Sequence, residues 1–295
     1  MMSKIGWYIF VLFIRVVTVL PLKVLYLLSC PLYLLLYRLP GYRRKVVRDN
    51  LTRSFPEKDI NWIRSVEKRF YRHLADLFVE SAKSFNISEK EITKRFRVVN
   101  PELPDKFFTE GRDVIAVGGH YNNWEWSTAL PSQLKHKPVI IYKPLSNKRF
   151  DKLMHEVRGR TGLILAPMSS VYRKILTLRN SNIRTLTLFI ADQTPPRAEI
   201  KYRTAFLNQD TPVYLGVEKM AVKMDMSVLF MHVRKVKRGY YEIEFIELIT
   251  NPKETKEHEV TEAHVRYLEK IIEDAPEYWV WTHRRWKHKR EKHDG

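Results

Sequence analysis

The sequence predicts an α/β domain, a mixed central sheet flanked by helices, preceded by an N-terminal membrane-associated helical region. Three observations carry this. From residue 113 onward, short apolar runs alternate with amphipathic stretches, the pattern of strands and covering helices. Residues 5–37 are almost wholly apolar. The charge is one-sided, with 52 Lys and Arg against 33 Asp and Glu in 295 residues, a formal net charge of +19. Such an excess answers something negative: nucleic acid, an anionic membrane surface or an acidic protein. A 44% apolar and 29% charged composition excludes both a disordered chain and a polytopic membrane protein. One cysteine, Cys30, excludes a disulfide framework and a cysteine-ligated zinc site.

Taken in order, residues 1–40 come first as an anchor or interfacial helices. Their longest apolar pieces, Ile5–Ile14 and Val24–Tyr37, are each shorter than the ~20 residues of a spanning helix. Arg15, Pro21 and Lys23 divide them. Two arrangements remain, one tilted span with a snorkelling cation or a helical pair partly in one leaflet, against the plain alternative of a pair buried in a soluble core. The absence of a small-residue cleavage site speaks against a signal peptide. Charge favours the membrane: no acidic residue precedes Asp49, whereas Lys4, Arg15, Lys23, Arg38, Arg43, Arg44, Lys45 and Arg48 are cationic. That pattern suits anionic headgroups and places the following chain on the cytoplasmic side. The tail interleaves Trp279, Trp281 and Trp286 with Arg284, Arg285, Lys287, Lys289, Arg290 and Lys292. It reads as a second interfacial segment; single-stranded nucleic acid would also suit it, but not beside an apolar anchor.

After the turn Ser54-Phe55-Pro56, apolar residues at Ile60, Ile63, Val66, Phe70, Leu74 and Leu77 predict a long amphipathic helix over 59–85. Strands are expected at Asp113–Val117, Pro138–Tyr142, Gly162–Leu165, Thr185–Ile190, Ser227–His232 and Tyr240–Phe245, and helices at Asn147–Arg158, Ser169–Arg179, Thr211–Met224 and Thr261–Ile272. Arg238-Gly239 reads as a hairpin turn, so the last two strands pair antiparallel. With no linker or repeat after residue 113, residues 41–295 form one domain.

The most informative stretch is VIAVGGHYNNWEWS, residues 114–127. A strand ends in Gly118-Gly119, His120 follows, and Glu125 falls in the first turn of a helix that Asn122 or Asn123 caps. Such strand-to-helix junctions are where α/β sheets hold ligands. The expectation is that Glu125 accepts the imidazole Nδ1–H and leaves Nε2 free as a base. The plain alternative is a histidine satisfied by backbone at a helix entrance. Metal-ligand spacing is absent, and Ser127 lacks the Gly-x-Ser-x-Gly elbow of a nucleophile.

GGHYNNWEW resembles the His-x4-Asp/Glu motif of the late (lauroyl/myristoyl) acyltransferases of lipid A biosynthesis. Further segments are similar in the same order: YRRKVVRDNLTRSFPEK (42–58), YKPLSNKRFDKLMHEVRGRTG (142–162), FIADQTP (189–195), TAFLNQDTPVYLGVEKMA (204–221) and WVWTHRRWK (279–287). One departure is Leu207-Asn208, which stands where Phe-Gly is common.

The resemblance implies a glycerolphosphate-acyltransferase-like fold and acyl transfer from an acyl carrier protein thioester to a hydroxyl of a lipid A precursor, without a bound cofactor, at the cytoplasmic face of a bacterial inner membrane. A related acyltransferase acting on another lipid acceptor, such as a phosphatidylinositol mannoside or an aminolipid, is the alternative; a non-enzymatic membrane or nucleic-acid binder would leave the His120 junction unexplained. In this frame His120 and Glu125 are the catalytic candidates. Backbone N–H groups near Gly118 and Gly119 are candidate oxyanion donors, and Arg158 a candidate for that charge or for a substrate phosphate. Asp192, Asn123, Tyr142 and Lys143 are candidate substrate contacts, although Asp192 also reads as a turn residue and Asn123 more simply as a cap.

Overall fold

The computed structural model describes residues 4–39, 41–144 and 146–288. Ten α-helices run through these residues: α1 Lys4–Val19, α2 Leu22–Tyr37, α3 Arg44–Ser54, α4 Ile60–Lys83, α5 Glu89–Arg95, α6 Glu102–Thr109, α7 Lys148–Gly159, α8 Val171–Asn180, α9 Gly216–Met224 and α10 Glu259–Asp274. The strands are β1 Phe96–Val98, β2 Val114–Gly118, β3 Lys137–Tyr142, β4 Ile164–Pro167, β5 Thr185–Ile190, β6 Tyr202–Phe206, β7 Gln209–Val213, β8 Ser227–Lys237 and β9 Tyr240–Ile249. Seven of them form one sheet in the order β1-β9-β8-β2-β5-β3-β4. Its neighbours pair parallel except β8 with β9, the hairpin expected at Arg238-Gly239.

β2 is buried on both faces, as a central parallel strand must be. Ile115 and Val117 face one core layer, with α3, α4, α8, α9 and α10. Val114 and Ala116 face the other, with α2, α5, α6 and the 3₁₀ segment Trp124–Ser132. That segment, expected as a helix, winds as a 3₁₀ helix with Pro131 inside it.

A further departure is the helix expected at Thr211–Met224. Its first residues belong to β7, which pairs antiparallel with β6 around Leu207 and Asn208. Both turn residues have positive φ, 48° and 60°, as a two-residue hairpin loop with strand-matching twist requires. Leucine seldom adopts that conformation, so the dipeptide gives no turn signal in the sequence. Leu207 sits there because its side chain is buried in the core.

The N-terminal helices turn at Pro21. Each has 16 residues, about 24 Å at the helical rise and short of the ~30 Å hydrocarbon core. Among the described residues no helix is long and apolar enough to cross a membrane, which sets aside the tilted span. α2 packs Leu22, Leu25, Tyr26 and Ser29 inward. The Lys83 ammonium, at the end of α4, bonds the carbonyls of Thr18 and Leu20 at 2.7 and 3.0 Å and so caps α1. The other face of the pair is bare: Tyr8, Ile9, Leu12, Phe13, Val16, Leu27 and Leu35 are exposed.

Two charge assignments are corrected. Arg44 and Arg48 both bond the fully buried carboxylate of Glu67, joining α3 to α4 rather than facing headgroups. Trp279, Trp281 and Trp286 lie in the core, not at an interface. Their indole N–H groups meet internal acceptors on Asp192, Pro276 and Thr211 at 2.6–2.7 Å, so their polar edges need no water. Lys289, Arg290 and Lys292 lie outside the described residues.

Candidate active site

The sheet register builds the site. β2 and β5 run parallel with Gly118 opposite Ile190, and the Ala191 N–H bonds the Gly118 carbonyl at 3.0 Å. Two residues past each strand end therefore stand side by side at the carboxyl edge, and these are His120 and Asp192. The imidazole Nδ1 lies 2.6 Å from Asp192 Oδ1, and the His120 backbone N–H donates to Asp192 Oδ2 at 2.8 Å. Gly119 is required for this approach: a Cβ there would come within 2.8 Å of Leu268 and 3.2 Å of Asp192 Oδ2. The glycine step makes room for the carboxylate, not only for a substrate.

The Nδ1 partner is thus Asp192 and not Glu125, which corrects the expected pairing. Glu125 enters through the 3₁₀ turn and accepts two bonds from Arg158 Nη2, at 3.0 and 2.9 Å. Asp192, expected as a substrate contact or a turn residue, is buried and faces protein donors. Besides the two from His120 it accepts the Trp279 indole N–H at 2.7 Å. The C-terminal segment brings this indole by pairing with the His120 turn, Tyr121 against Trp279 and the Val280 N–H on the His120 carbonyl at 3.1 Å. The Trp124 ring stands edge-on to the imidazole with centroids 4.9 Å apart.

The electrostatics follow from these contacts. Burial alone would raise the Asp192 pKa, but the His120 charge and hydrogen bonds, with the Trp279 N–H, hold it down at about 2. Burial pulls His120 towards neutrality; the charge and hydrogen bond of Asp192, with Glu125 adding, outweigh it and leave the pKa raised. Nε2 of His120 lies 3.1 Å from Gln193 Nε2. With Nδ1–H on Asp192, that nitrogen presents a lone pair which the Gln193 amide covers, so an incoming hydroxyl would replace the amide. The arrangement can therefore accept a proton from a substrate hydroxyl at Nε2 and stabilise the resulting imidazolium.

Beyond this pair, two cavities meet at the Glu125–Arg158 ion pair. One, of about 250 Å³, is lined by Tyr142, Lys143, Asp151 and His155, which brings the two expected substrate contacts together with Arg158. The other, of about 200 Å³, is walled by Phe10, Ile14, Phe85, Thr128 and Val157 and is mainly apolar. Phe150 and Met154 line both. Asn123 joins neither: it is buried, its Oδ1 accepts the Trp126 N–H at 3.3 Å and its Nδ2 donates to Glu80 at 2.7 Å. Its place is the cap.

Three contributors escaped the sequence reading. Gln193 and Trp279 touch the dyad directly, and His283 lines the same small cavity. Burial pushes the His283 pKa down to about 4, and the neutral ring accepts the Thr194 N–H at 3.3 Å, fixing the loop after Asp192. Arg285, also buried, bonds the Pro212 carbonyl at 2.7 Å and ties β7 to the C-terminal segment. The signal was present in the Trp-x-His-Arg-Arg run, but its aromatic and basic content pointed outward.

The chain is similar to the lipid A biosynthesis lauroyltransferase of Escherichia coli (strain K12), 24% identical over 277 residues that cover 91% of this chain and 87% of that protein. Residues 1–288, and with them the sheet, the His120 turn and the C-terminal segment, match the family described as bacterial lipid A biosynthesis acyltransferase. The chain belongs to the bacterial lipid A biosynthesis acyltransferases, enzymes that acylate lipid A precursors.

Proposed function

We propose that this enzyme moves an acyl chain from an acyl carrier protein thioester to a hydroxyl of a lipid A precursor, with His120 as general base oriented by Asp192. The observation that carries the reading is the 2.6 Å contact between Nδ1 and Asp192, which leaves Nε2, 3.1 Å from the Gln193 amide, as the ring nitrogen able to take a proton. The acceptor oxygen attacks the thioester carbonyl carbon while Nε2 takes its proton. The tetrahedral oxyanion collapses, the carbon–sulfur bond breaks, and the imidazolium returns the proton to the departing thiolate. An ester and a free carrier thiol result. Asp192 stabilises the imidazolium, and Glu125 adds to that at longer range. The apolar cavity accounts for a fatty chain and the Tyr142, Lys143 and Arg158 side for the polar part of a substrate.

The exposed apolar face of α1 and α2 supports a membrane role without a span: the pair lies in the cytoplasmic leaflet of the inner membrane, apolar side chains towards the acyl region. Arg15, Arg38, Arg43 and Lys45 are exposed beside it and suit anionic headgroups, as does an acidic carrier protein. The test is transfer of a labelled chain from acyl carrier protein to a tetraacylated lipid A precursor. Labelled lipid from the wild type and none from His120→Ala supports the reading. Equal product from both removes His120 as the base.

A further inference from the structure

Glu80 is a carboxylate sealed inside the protein, fully buried on the inner face of α4, with no part in the chemistry above. Its contacts are the unusual feature. Oε1 accepts the Tyr26 hydroxyl of α2 at 2.6 Å. Oε2 accepts the Tyr241 hydroxyl of β9 at 2.8 Å and the Asn123 Nδ2 at 2.7 Å. Its backbone carbonyl accepts the Trp126 indole N–H at 3.2 Å, and Ser84 one turn on accepts the same N–H at 3.1 Å.

One residue thus holds the 3₁₀ turn at Asn123 and at Trp126, the two positions that flank Trp124 and Glu125. Asn123 in turn follows the His120-Tyr121-Asn122 bend, where Asn122 has φ 53° and anchors by its Nδ2 to the Val233 carbonyl at 2.8 Å. A bend in the left-handed region needs fixed ends to persist, and Glu80 supplies the downstream end.

We infer that Glu80 is a positioning residue: its carboxylate holds Asn123, and so sets the His120–Glu125 turn against α4, where the Trp126 bond to the backbone carbonyl adds a second tie, and fixes Glu125, Trp124 and the His120 ring relative to the cavities. This rests on the general-base reading of His120. The placement matters because displacement of reacting groups by ~1 Å can reduce turnover about 100-fold. The role is one of hydrogen bonding and not of charge. A glutamine at 80 keeps its carbonyl oxygen at the Oε2 position for Asn123 and Tyr241. Its amide then donates to the Tyr26 hydroxyl, which accepts instead of donating.

The experiment compares Glu80→Gln, Glu80→Ala, Asn123→Ala, the Glu80→Ala/Asn123→Ala double variant and His120→Ala in the transfer assay, with kcat and KM separated and thermal unfolding recorded for each. Glu80→Ala and Asn123→Ala are expected to lower kcat by about 10- to 100-fold while KM stays within about threefold. The double variant should lose little more kcat than either single, since the Glu80–Asn123 bond is already lost in both, and Glu80→Gln should retain kcat within about threefold. The inference is overturned if the folded alanine variants keep wild-type kcat, if their losses multiply, or if Glu80→Gln is as poor as Glu80→Ala. Should Glu80→Ala not fold, Asn123→Ala and Glu80→Gln still decide, full kcat in the first or loss in the second counting against it. His120→Ala separates the two levels: its full activity would sink the general-base reading, whereas an inactive His120→Ala beside fully active clamp variants would sink the Glu80 role alone.

Discussion

Replacing Asp192 by asparagine changes one oxygen to an amide and nearly no volume, yet the contacts of this site make it a severe perturbation. All three groups facing the carboxylate through protons are donors: the His120 ring at Oδ1, and the His120 backbone and Trp279 indole at Oδ2. Asparagine has one carbonyl oxygen. Placed at the Oδ2 position, it satisfies two fixed donors and points its NH₂ at Nδ1. The imidazole must then accept at Nδ1 and carry its proton on Nε2, where a base needs a lone pair. The reverse placement keeps the tautomer but sets the NH₂ against two donors in a buried site, so the first arrangement wins.

The expected loss is the whole general-base contribution, about 10²–10⁴ in kcat, equivalent to ~3–5 kcal/mol of barrier. The pH profile gives a second reading. On the proposed general-base mechanism His120 must be neutral to act, so its raised pKa sets the acid limb of kcat/KM higher than an ordinary histidine would, with activity rising as pH rises through it. Without the Asp192 charge, burial acts with less opposition and the limb moves to lower pH. Stability shifts as well. The depressed Asp192 pKa contributes stability above the ordinary carboxylate value of 3.8, lost as pH falls through about 2, and the variant should lack that dependence. The assay is labelled transfer to the lipid A precursor across pH 5–9 (about the range over which histidine titrates). A variant within about threefold of wild type, with its acid limb unmoved, would refute the reasoning.

Other outcomes follow from the same geometry. Glu125→Gln should move the acid limb down by a smaller step than Asp192→Asn, because Glu125 acts on the imidazole through space and is bonded to Arg158; an equal or larger step would restore it as the direct partner. Ile14→Trp, which fills the apolar cavity from α1, should lower turnover of long-chain donors relative to short ones by about 10-fold, read as a ratio of kcat/KM values. Leu12→Glu with Val16→Glu on the bare face of α1 should abolish sedimentation with anionic vesicles and leave the thermal unfolding of the purified protein within about 2 °C.

The sequence made the scaffold legible where periodicity was strong. β5 begins and ends as expected, and α4, α7, α8 and α10 lie within a few residues of their expected bounds. It failed where local signals were weak or misleading. β1 has only three residues, and the Leu207-Asn208 hairpin turns through a conformation that leucine does not announce. The tryptophans of the tail have the composition of an interfacial segment, but composition cannot tell a ring beside lipid from a ring whose N–H meets a buried carboxylate.

The candidate site was legible in its members and not in its pairing. His120 and Glu125 are five residues apart, so local reasoning joins them; the imidazole instead bonds Asp192, 72 residues on. Two facts were needed to see that. One is that β5 and not β3 is the neighbour of β2, a long-range choice that the strand sequences do not encode singly. The other is the register that sets Gly118 opposite Ile190. Given both, the count of two residues past each strand end brings His120 and Asp192 face to face, and Gly119 acquires its reason. Glu125 is left to Arg158 on α7, at the junction of the two cavities. The motif that reads in sequence as one dyad is in space two separate contacts, His120 with Asp192 and Glu125 with Arg158, joined by a short turn that Glu80 bonds at Asn123.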